Sequence, residues 1–492
     1  MKKLLYYFSA GFFLLNVLSA CDGDDEDDLA PEQPDTIDEE TLSTNAWINE
    51  EMEHYYFWNA QMPAVDHTKE PDSEAYFNKL LFKDDDFSWI TDDYQTLKSE
   101  YDGTPVAMGY DPAFYTFGNA TDKVFIVVNY VYPGSGAETG GLRRGHIVME
   151  INGNELTTNN YLDLYSGSSY SVTLGEITVS NNSYNISTTD KKLNLTSSIP
   201  KTDPIIHYEV IDSLNHKVGY LAYAEFKNGK DDSFLNSMDK VFTEFKTAGI
   251  KDMIVDLRYN PGGDVTAAIH LASLLAPAGV MNAAEVIVNV KYNATYQKEV
   301  EQKYPAELNY KFRKVASNLD LDRVYILTTS ATASASELLL AGLDPHMEVV
   351  QVGDSTYGKY YGAYVLPDND DEDKAKWAIL PIVMKYTNTE NFPDFAHGIP
   401  PDHQIEDDWV VNDPAYNNKN VYSYPLGNPA DPLTKRAIEL IAGRSSAATL
   451  STRSATVPLS TFKRLPDPGI SSRRNNLIIP LKPAMKSSTA PE

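Results

Sequence analysis

The chain has 492 residues, 42% of them apolar, and a formal net charge of -29. That length allows about three domains, each with a sizeable core. The acidic balance argues against a nucleic-acid partner, because phosphates need a basic surface, and a single cysteine, Cys21, excludes an internal disulfide.

Lys2 and Lys3 precede a mostly apolar run, Leu4 to Leu18, which ends in Leu18-Ser19-Ala20-Cys21. The run is too short and wrongly flanked for an ordinary spanning helix, so residues 1–20 read as an export signal. The position of Cys21 resembles a bacterial lipobox. The resemblance implies cleavage before Cys21, lipidation of its thiol and an envelope location. A plain signal peptide that contains a cysteine is the alternative. Residues 21–42 open with Asp22-Gly23-Asp24-Asp25-Glu26-Asp27-Asp28 and read as an acidic, disordered tether. Acidic residues after a lipidated cysteine resemble surface-export tags of Bacteroidetes lipoproteins, so the outer membrane or cell surface is the expected site. Asp22 itself argues instead for inner-membrane retention, on the periplasmic face.

Residues 43–102 read as a small helical domain. Asn45–Ala60 carries Trp47, Ile48, Met52, Tyr55 and Trp58 at helical spacing, and Ser73–Phe82 and Asp92–Tyr101 are further helical pieces. In residues 103–192, the strand Lys123–Val131 leads to a short small-residue helix. Leu142-Arg143-Arg144-Gly145-His146, a second strand to Ile151 and an Asn152-Gly153 turn follow. This order resembles a PDZ domain of the bacterial protease type. The resemblance implies capture of an extended peptide at a sheet edge. His146 stands where that family commonly has Asp and is expected at the surface.

Residues 205–443 read as a further domain. The strand Val218–Glu225 is followed by the helix Asp231–Thr247, whose Phe234, Met238, Val241, Phe242 and Phe245 share one face. The strand Ile250–Leu257 delivers Arg258-Tyr259-Asn260-Pro261-Gly262-Gly263, and the helix Asp264–Leu275 follows. The two glycines can leave backbone N–H groups pointing into a cleft, or they can simply supply positive φ. Asn282–Asn318 has no clear pattern and reads as a lid or a substrate-side insertion. Next come the strand Val324–Leu327, a helix from Ser334 to Leu343 and the strand Met347–Val352, a βαβ unit. Ser334 then sits at a helix N-terminus, where free N–H groups and the dipole favour an oxyanion. Lys359 lies just past the next strand, and Ser with Lys is a known nucleophile–base pair. Ala-Ser-Ala-Ser is equally good capping and close-packing chemistry. Beyond lie the strand Tyr360–Leu366, an acidic loop Asp368–Asp373, the strand Trp377–Tyr386, a rigid loop His397–Asp402 and the helix Leu433–Ile441. Residues 444–492 read as a disordered or loosely attached Ser/Thr/Pro-rich tail.

The PDZ-like unit, Val255-Asp256-Leu257-Arg258-Tyr259-Asn260-Pro261-Gly262-Gly263, Thr332-Ala333-Ser334-Ala335-Ser336-Glu337, Tyr357-Gly358-Lys359 and Gly398-Ile399-Pro400-Pro401-Asp402 occur in one order. Together they resemble the S41 serine peptidases, the carboxyl-terminal processing proteases. The resemblance implies an α/β, multidomain fold: a ClpP/crotonase-like βαβ catalytic core with a PDZ domain and a helical N-terminal domain. It places the nucleophile on Ser334 and the base on Lys359. The oxyanion donors would be the N–H groups of Gly262 or Gly263 and of Ala335. Substrates would be peptides or protein tails, with no cofactor and no metal; His397, Asp402 and His403 read as loop residues. Many members carry a Gln four residues after the Lys, where this chain has Ala363. That departure supports a second reading, a weak or inactive scaffold that binds peptides, and Tyr360 or Tyr361 are candidates to replace the Gln.

Overall fold

The computed structural model describes residues 37–103, 107–117, 122–180, 183–198, 203–390, 395–407, 413–444, 462–465 and 477–479. The export signal, Cys21 and most of the acidic tether lie outside the described residues. Within them the fold is mixed α/β, and no helix is long and apolar enough to cross a membrane.

A six-stranded sheet forms the centre. Its order is His403–Gln404, Glu348–Gly353, Arg323–Thr328, Asp252–Asp256, His216–Tyr223 and Ile205–Ser213. Neighbours are parallel except for the last pair, which is an antiparallel hairpin. Parallel neighbours need crossovers, and the helices Ser233–Ala248, Val265–Leu275 and Ala335–Leu343 lie on the crossovers between them. These helices bury Phe242, Leu271 and Leu338 against Val255 and Ile326 in one apolar core.

A five-stranded sheet packs beside it: Asn309–Lys311, Val286–Tyr292, Ile382–Asn388, Tyr361–Tyr364 and Leu477–Ile479. The stretch 282–318, expected as a lid, instead supplies two of these strands, and Ile287, Val288, Tyr292, Tyr296 and Val300 are buried in the main core. Its polar residues hid an apolar alternation too short to read. The expected strand Trp377–Tyr386 is split at Pro381, which has no N–H for a ladder. Ala378–Leu380 serves a small three-stranded sheet, and Ile382–Asn388 serves the five-stranded one.

The N-terminal helix runs from Glu39 to Tyr55 and so begins inside the stretch read as tether. Asp38 caps it by accepting from the Thr41 N–H at 2.8 Å, and Glu39 and Glu40 suit the positive helix end. Asp38, Glu39 and Glu40, inside the stretch read as tether, are therefore a helix start. Ile48, Met52 and Tyr55 share the core of Leu221, Val255 and Leu338. This helix packs as part of the α/β body.

Residues 107–198 form a sheet of their own, built on Tyr110–Phe117, Val124–Val131, Ile147–Ile151, Ser169–Ser180 and Ser183–Thr196. Asn152 and Gly153, at φ 52° and 74°, make the two-residue turn to Asn154–Glu155. His146 is 2% exposed, not at the surface. Its Nδ1 accepts from the Arg143 N–H at 3.1 Å, and burial lowers its pKa to about 4, so a neutral ring completes the turn.

The tail also departs from expectation. Phe462–Arg464 pairs antiparallel with Tyr110–Phe117, and Leu477–Ile479 pairs parallel with Tyr361–Tyr364. Each occupies a sheet edge that would otherwise present unpaired N–H and C=O groups. Pairing of this kind needs little sequence signal.

Met52 is fully buried in the shared core. Met52→Ala is expected to cost about 2–5 kcal/mol. Urea denaturation followed by both tryptophan fluorescence and far-UV dichroism should show one coincident, shifted transition. Two separated transitions would mean that the N-terminal helix unfolds independently.

Candidate active site

Three loops meet at the carboxyl ends of the parallel strands. The first follows Asp252–Asp256. Its Arg258 is fully buried, a position tolerable only with charge compensation. The guanidinium bonds Asp256, Asp407 at 2.9 Å and Asp431 at 2.8 Å. Tyr259 donates to Asp407 at 2.9 Å and receives a bond from Arg144 of the 107–198 sheet at 2.7 Å. The loop that follows is thus fixed at its root.

Asn260, fully buried, donates to the Tyr223 carbonyl at 2.9 Å and accepts from the Gly262 N–H at 2.9 Å. Its carbonyl accepts from the Ala333 N–H at 3.2 Å and the Ser336 hydroxyl at 3.1 Å. That joins the first loop to the second, which carries Ser334. Gly262 has φ +112°, and a Cβ there would lie 2.7 Å from the Cβ of Ser334 and 2.9 Å from the Ala335 nitrogen. Only glycine lets the two loops approach this closely.

Ser334 is fully buried at the N-terminus of the helix Ala335–Leu343. Its φ of 59° and ψ of -109° are unusual for a side chain with a Cβ and cost about 1–3 kcal/mol. Its Oγ makes no hydrogen bond within the described residues. Glu337, one helical turn on, holds the strained residue by accepting from the Ser334 N–H at 2.7 Å. The same carboxylate accepts from the Thr356 hydroxyl at 2.6 Å, the Gly358 N–H at 2.6 Å and the Lys359 N–H at 2.8 Å. Burial pushes the Glu337 carboxyl up to about 7, while the four donated bonds pull it down. Every contact is a donor, so the ionised form fits and a protonated one would lose a partner.

Lys359 is also fully buried. Burial lowers its pKa to about 7, against the opposing pull of Asp85 and then Glu337. Its Nζ lies 4.5 Å from the centre of the Phe87 ring. One oxygen of Glu337 bonds the backbone N–H of both Ser334 and Lys359, which brings the two residues side by side. The Tyr386 hydroxyl reaches both carbonyls, Ser334 at 3.1 Å and Lys359 at 3.4 Å. Burial raises its pKa well above the ordinary value, so it stays a donor.

Of the residues singled out from sequence, Ser334, Lys359, Gly262, Gly263 and Ala335 come together here, and Cys21 lies outside the described residues. The Gly262 N–H is occupied by Asn260, which removes it from the expected oxyanion donors. Phe226 pairs with the Gly262 carbonyl and the Asp264 N–H, both at 2.8 Å, so the Gly263 N–H faces the other way. Ala363 is buried among Leu97, Ala378 and Leu380. Asp402 accepts from the Gln351 N–H at 2.8 Å, and His403 begins the edge strand. Among the described residues, no group of three or more His, Cys, Asp or Glu is arranged to hold a metal. Sequence reasoning gave no role to Glu337, Asp85, Phe87 or Tyr386. Only Glu337 had a signal, the Ser-x-x-Glu spacing of a capping box.

Residues 217–405 match the model of Peptidase family S41, and residues 43–89 match that of the Peptidase S41 N-terminal domain. A carboxyl-terminal-processing protease of Picosynechococcus is 23% identical over 354 residues, covering 67% of this chain and 76% of the relative. Carboxyl-terminal-processing peptidase 3, chloroplastic, of Arabidopsis thaliana is 25% identical over 324 residues, covering 63% of this chain and 56% of the relative. The crystal structure of a candidate S41 protease from Bacteroides fragilis superposes with a TM-score of 0.65 at 28% identity. It covers 81% of this chain and 97% of its own.

Glu337→Gln keeps the shape but offers one acceptor oxygen in place of two, so buried N–H groups lose their partner at about 1–3 kcal/mol each. In an enzyme site, a misplacement of about 1 Å costs about 100-fold in rate. The variant is expected to fold with reduced stability and to lose at least about that factor in kcat. Thermal unfolding and peptide hydrolysis check both effects.

Proposed function

We propose, from homology to the S41 serine peptidases, that this chain is a serine endopeptidase of the carboxyl-terminal processing type, with Ser334 as nucleophile and Lys359 as base. The observation that carries the reading is the single Glu337 carboxylate that ties both backbones together beside a buried lysine amine. A lysine serves as a base near neutral pH only when burial makes its neutral form available. Lys359 would take the Ser334 proton as Oγ attacks the scissile carbonyl, and then pass it to the leaving amine. Water, deprotonated by the same lysine, would release the acid from the acyl-enzyme. The N–H groups of Gly263 and Ala335 suit the oxyanion, because neither donates to another group among the described residues.

The 107–198 sheet with its two short helices fits a PDZ-like unit that presents peptide tails, and the parallel βαβ core fits a ClpP/crotonase-like description. Residues 1–21 support a lipid anchor at Cys21 and an envelope location. A second reading, a scaffold that binds peptides without cutting them, is favoured by the complete burial of Ser334 and Lys359 and by Ala363.

Cleavage of an unfolded model protein separates the readings. Ser334→Ala and Lys359→Ala should both abolish it with folding intact. Loss in the serine variant alone would point to a different base, and a parent inactive across pH would support the binding scaffold. The acid limb of kcat/KM should fall near pH 7, where Lys359 gains its proton.

Stability carries the same signature. In the unfolded chain Lys359 holds its proton up to about 10.5, whereas in the folded state it loses it near 7. Between these values the unfolded state binds more protons, so stability rises with pH. Lys359→Met should remove that rise and raise the melting temperature at pH 7, as read by calorimetry from pH 6 to 10.

A further inference from the structure

Asp85 and Phe87 come from the N-terminal segment, far in sequence from Ser334 and Lys359. Asp85 is 9% exposed. Its Oδ2 accepts from the Tyr56 hydroxyl at 2.7 Å, and its Oδ1 accepts from the Phe87 and Ser88 N–H groups at 2.9 and 3.0 Å. The Ser88 hydroxyl oxygen accepts from the Ile382 N–H at 2.8 Å, and Trp89–Thr91 pairs with Ala378–Leu380. The segment is therefore pinned on both sides, and it sets the Phe87 ring against the Lys359 amine. Ala363, the place where a Gln was expected, offers only a methyl group inside an apolar cluster.

We propose that Phe87, with its loop pinned by Asp85, is a positioning residue for Lys359, setting its ring against the amine from the N-terminal segment in place of a side chain at 363. The inference rests on the reading of Lys359 as the base. An aromatic face attracts an ammonium group without competing for the amine's lone pair. It also excludes water from one side of the amine. The Asp85 carboxylate adds an attraction for the charged amine. Among the described residues, the carboxylates that act on the amine's charge are Asp85 from the 82–88 loop and then Glu337 from the helix Ala335–Leu343, and the Tyr386 hydroxyl from the strand Ile382–Asn388 meets the Lys359 carbonyl. On that strand Lys385 lies over the neighbouring Tyr360 ring, 4.6 Å from its centre. The active site is on this view incomplete without residues 43–89, which match an S41 N-terminal domain in their own right.

The test uses the full chain and compares Asp85→Asn, Phe87→Leu and Phe87→Tyr with the parent, with folding checked by urea denaturation. Asp85→Asn and Phe87→Leu each remove a group that favours the ammonium form. Both should lower kcat by about tenfold with little change in KM, and both should move the acid limb of kcat/KM to lower pH. Phe87→Tyr keeps the ring and should restore both kcat and the limb. A fall in kcat with an unmoved limb would reduce the two residues to packing and overturn the proposal, and so would parent-like kinetics in Phe87→Leu. If Lys359→Ala remains active, the Ser–Lys reading itself has failed. If it is inactive while Asp85→Asn and Phe87→Leu behave as the parent, only this inference has failed.

Discussion

The carboxylate of Glu337 is the constraint on which the site depends. It lies fully buried at the start of a buried helix, where an unpaired charge would be very costly. It is tolerated because four donors surround it: the Ser334, Gly358 and Lys359 N–H groups and the Thr356 hydroxyl. Those donors come from two different loops. Satisfying the charge therefore joins the loops, and joining the loops brings serine and lysine together. The unusual backbone of Ser334 is stable only inside this arrangement, with Gly262 leaving room on one side and Tyr386 holding the carbonyl.

Arg258 plays the complementary part on the first loop. Its three carboxylate partners come from the strand end and from two distant segments, around Asp407 and Asp431. Each ion sits where it would be destabilising alone, so the whole set forms or fails together. The loop at Gly262 and Gly263 inherits that rigidity through Tyr259 and Asn260. The same desolvation that destabilises a charged Lys359 makes its neutral amine available near pH 7.

Parts of this were legible from residues alone. The run around Val324–Leu343 showed strand and helix, because small residues and leucines at helical spacing have few other solutions. Ser334 at the helix start and Lys359 past the next strand followed from that spacing. The amphipathic helix Ser233–Ala248 was plain from Phe234, Met238, Val241, Phe242 and Phe245. Other parts were misread. Acidic residues near Glu39 looked solvated because composition does not distinguish a spacer from a helix N-terminus. His146 looked exposed because a polar side chain gives no sign that a turn will enclose it. The tail strands near Phe462 and Leu477 were missed because edge pairing uses backbone groups that every residue has.

The sequence by itself determined the order of the βαβ elements and the places of Gly262, Gly263, Ser334 and Lys359 along them, since these depend on local spacing and propensity. Only the tertiary structure decided which groups surround the lysine amine. Phe87 lies against it, and the N-terminal helix that precedes Phe87 is buried in the same core as the parallel strands. It also decided that the Gly262 N–H is taken by Asn260 and that one carboxylate bonds the N–H groups of both Ser334 and Lys359. Such contacts join segments far apart in the chain. They are fixed by burial and by the need to pair every buried polar group, and no periodicity in the sequence encodes them.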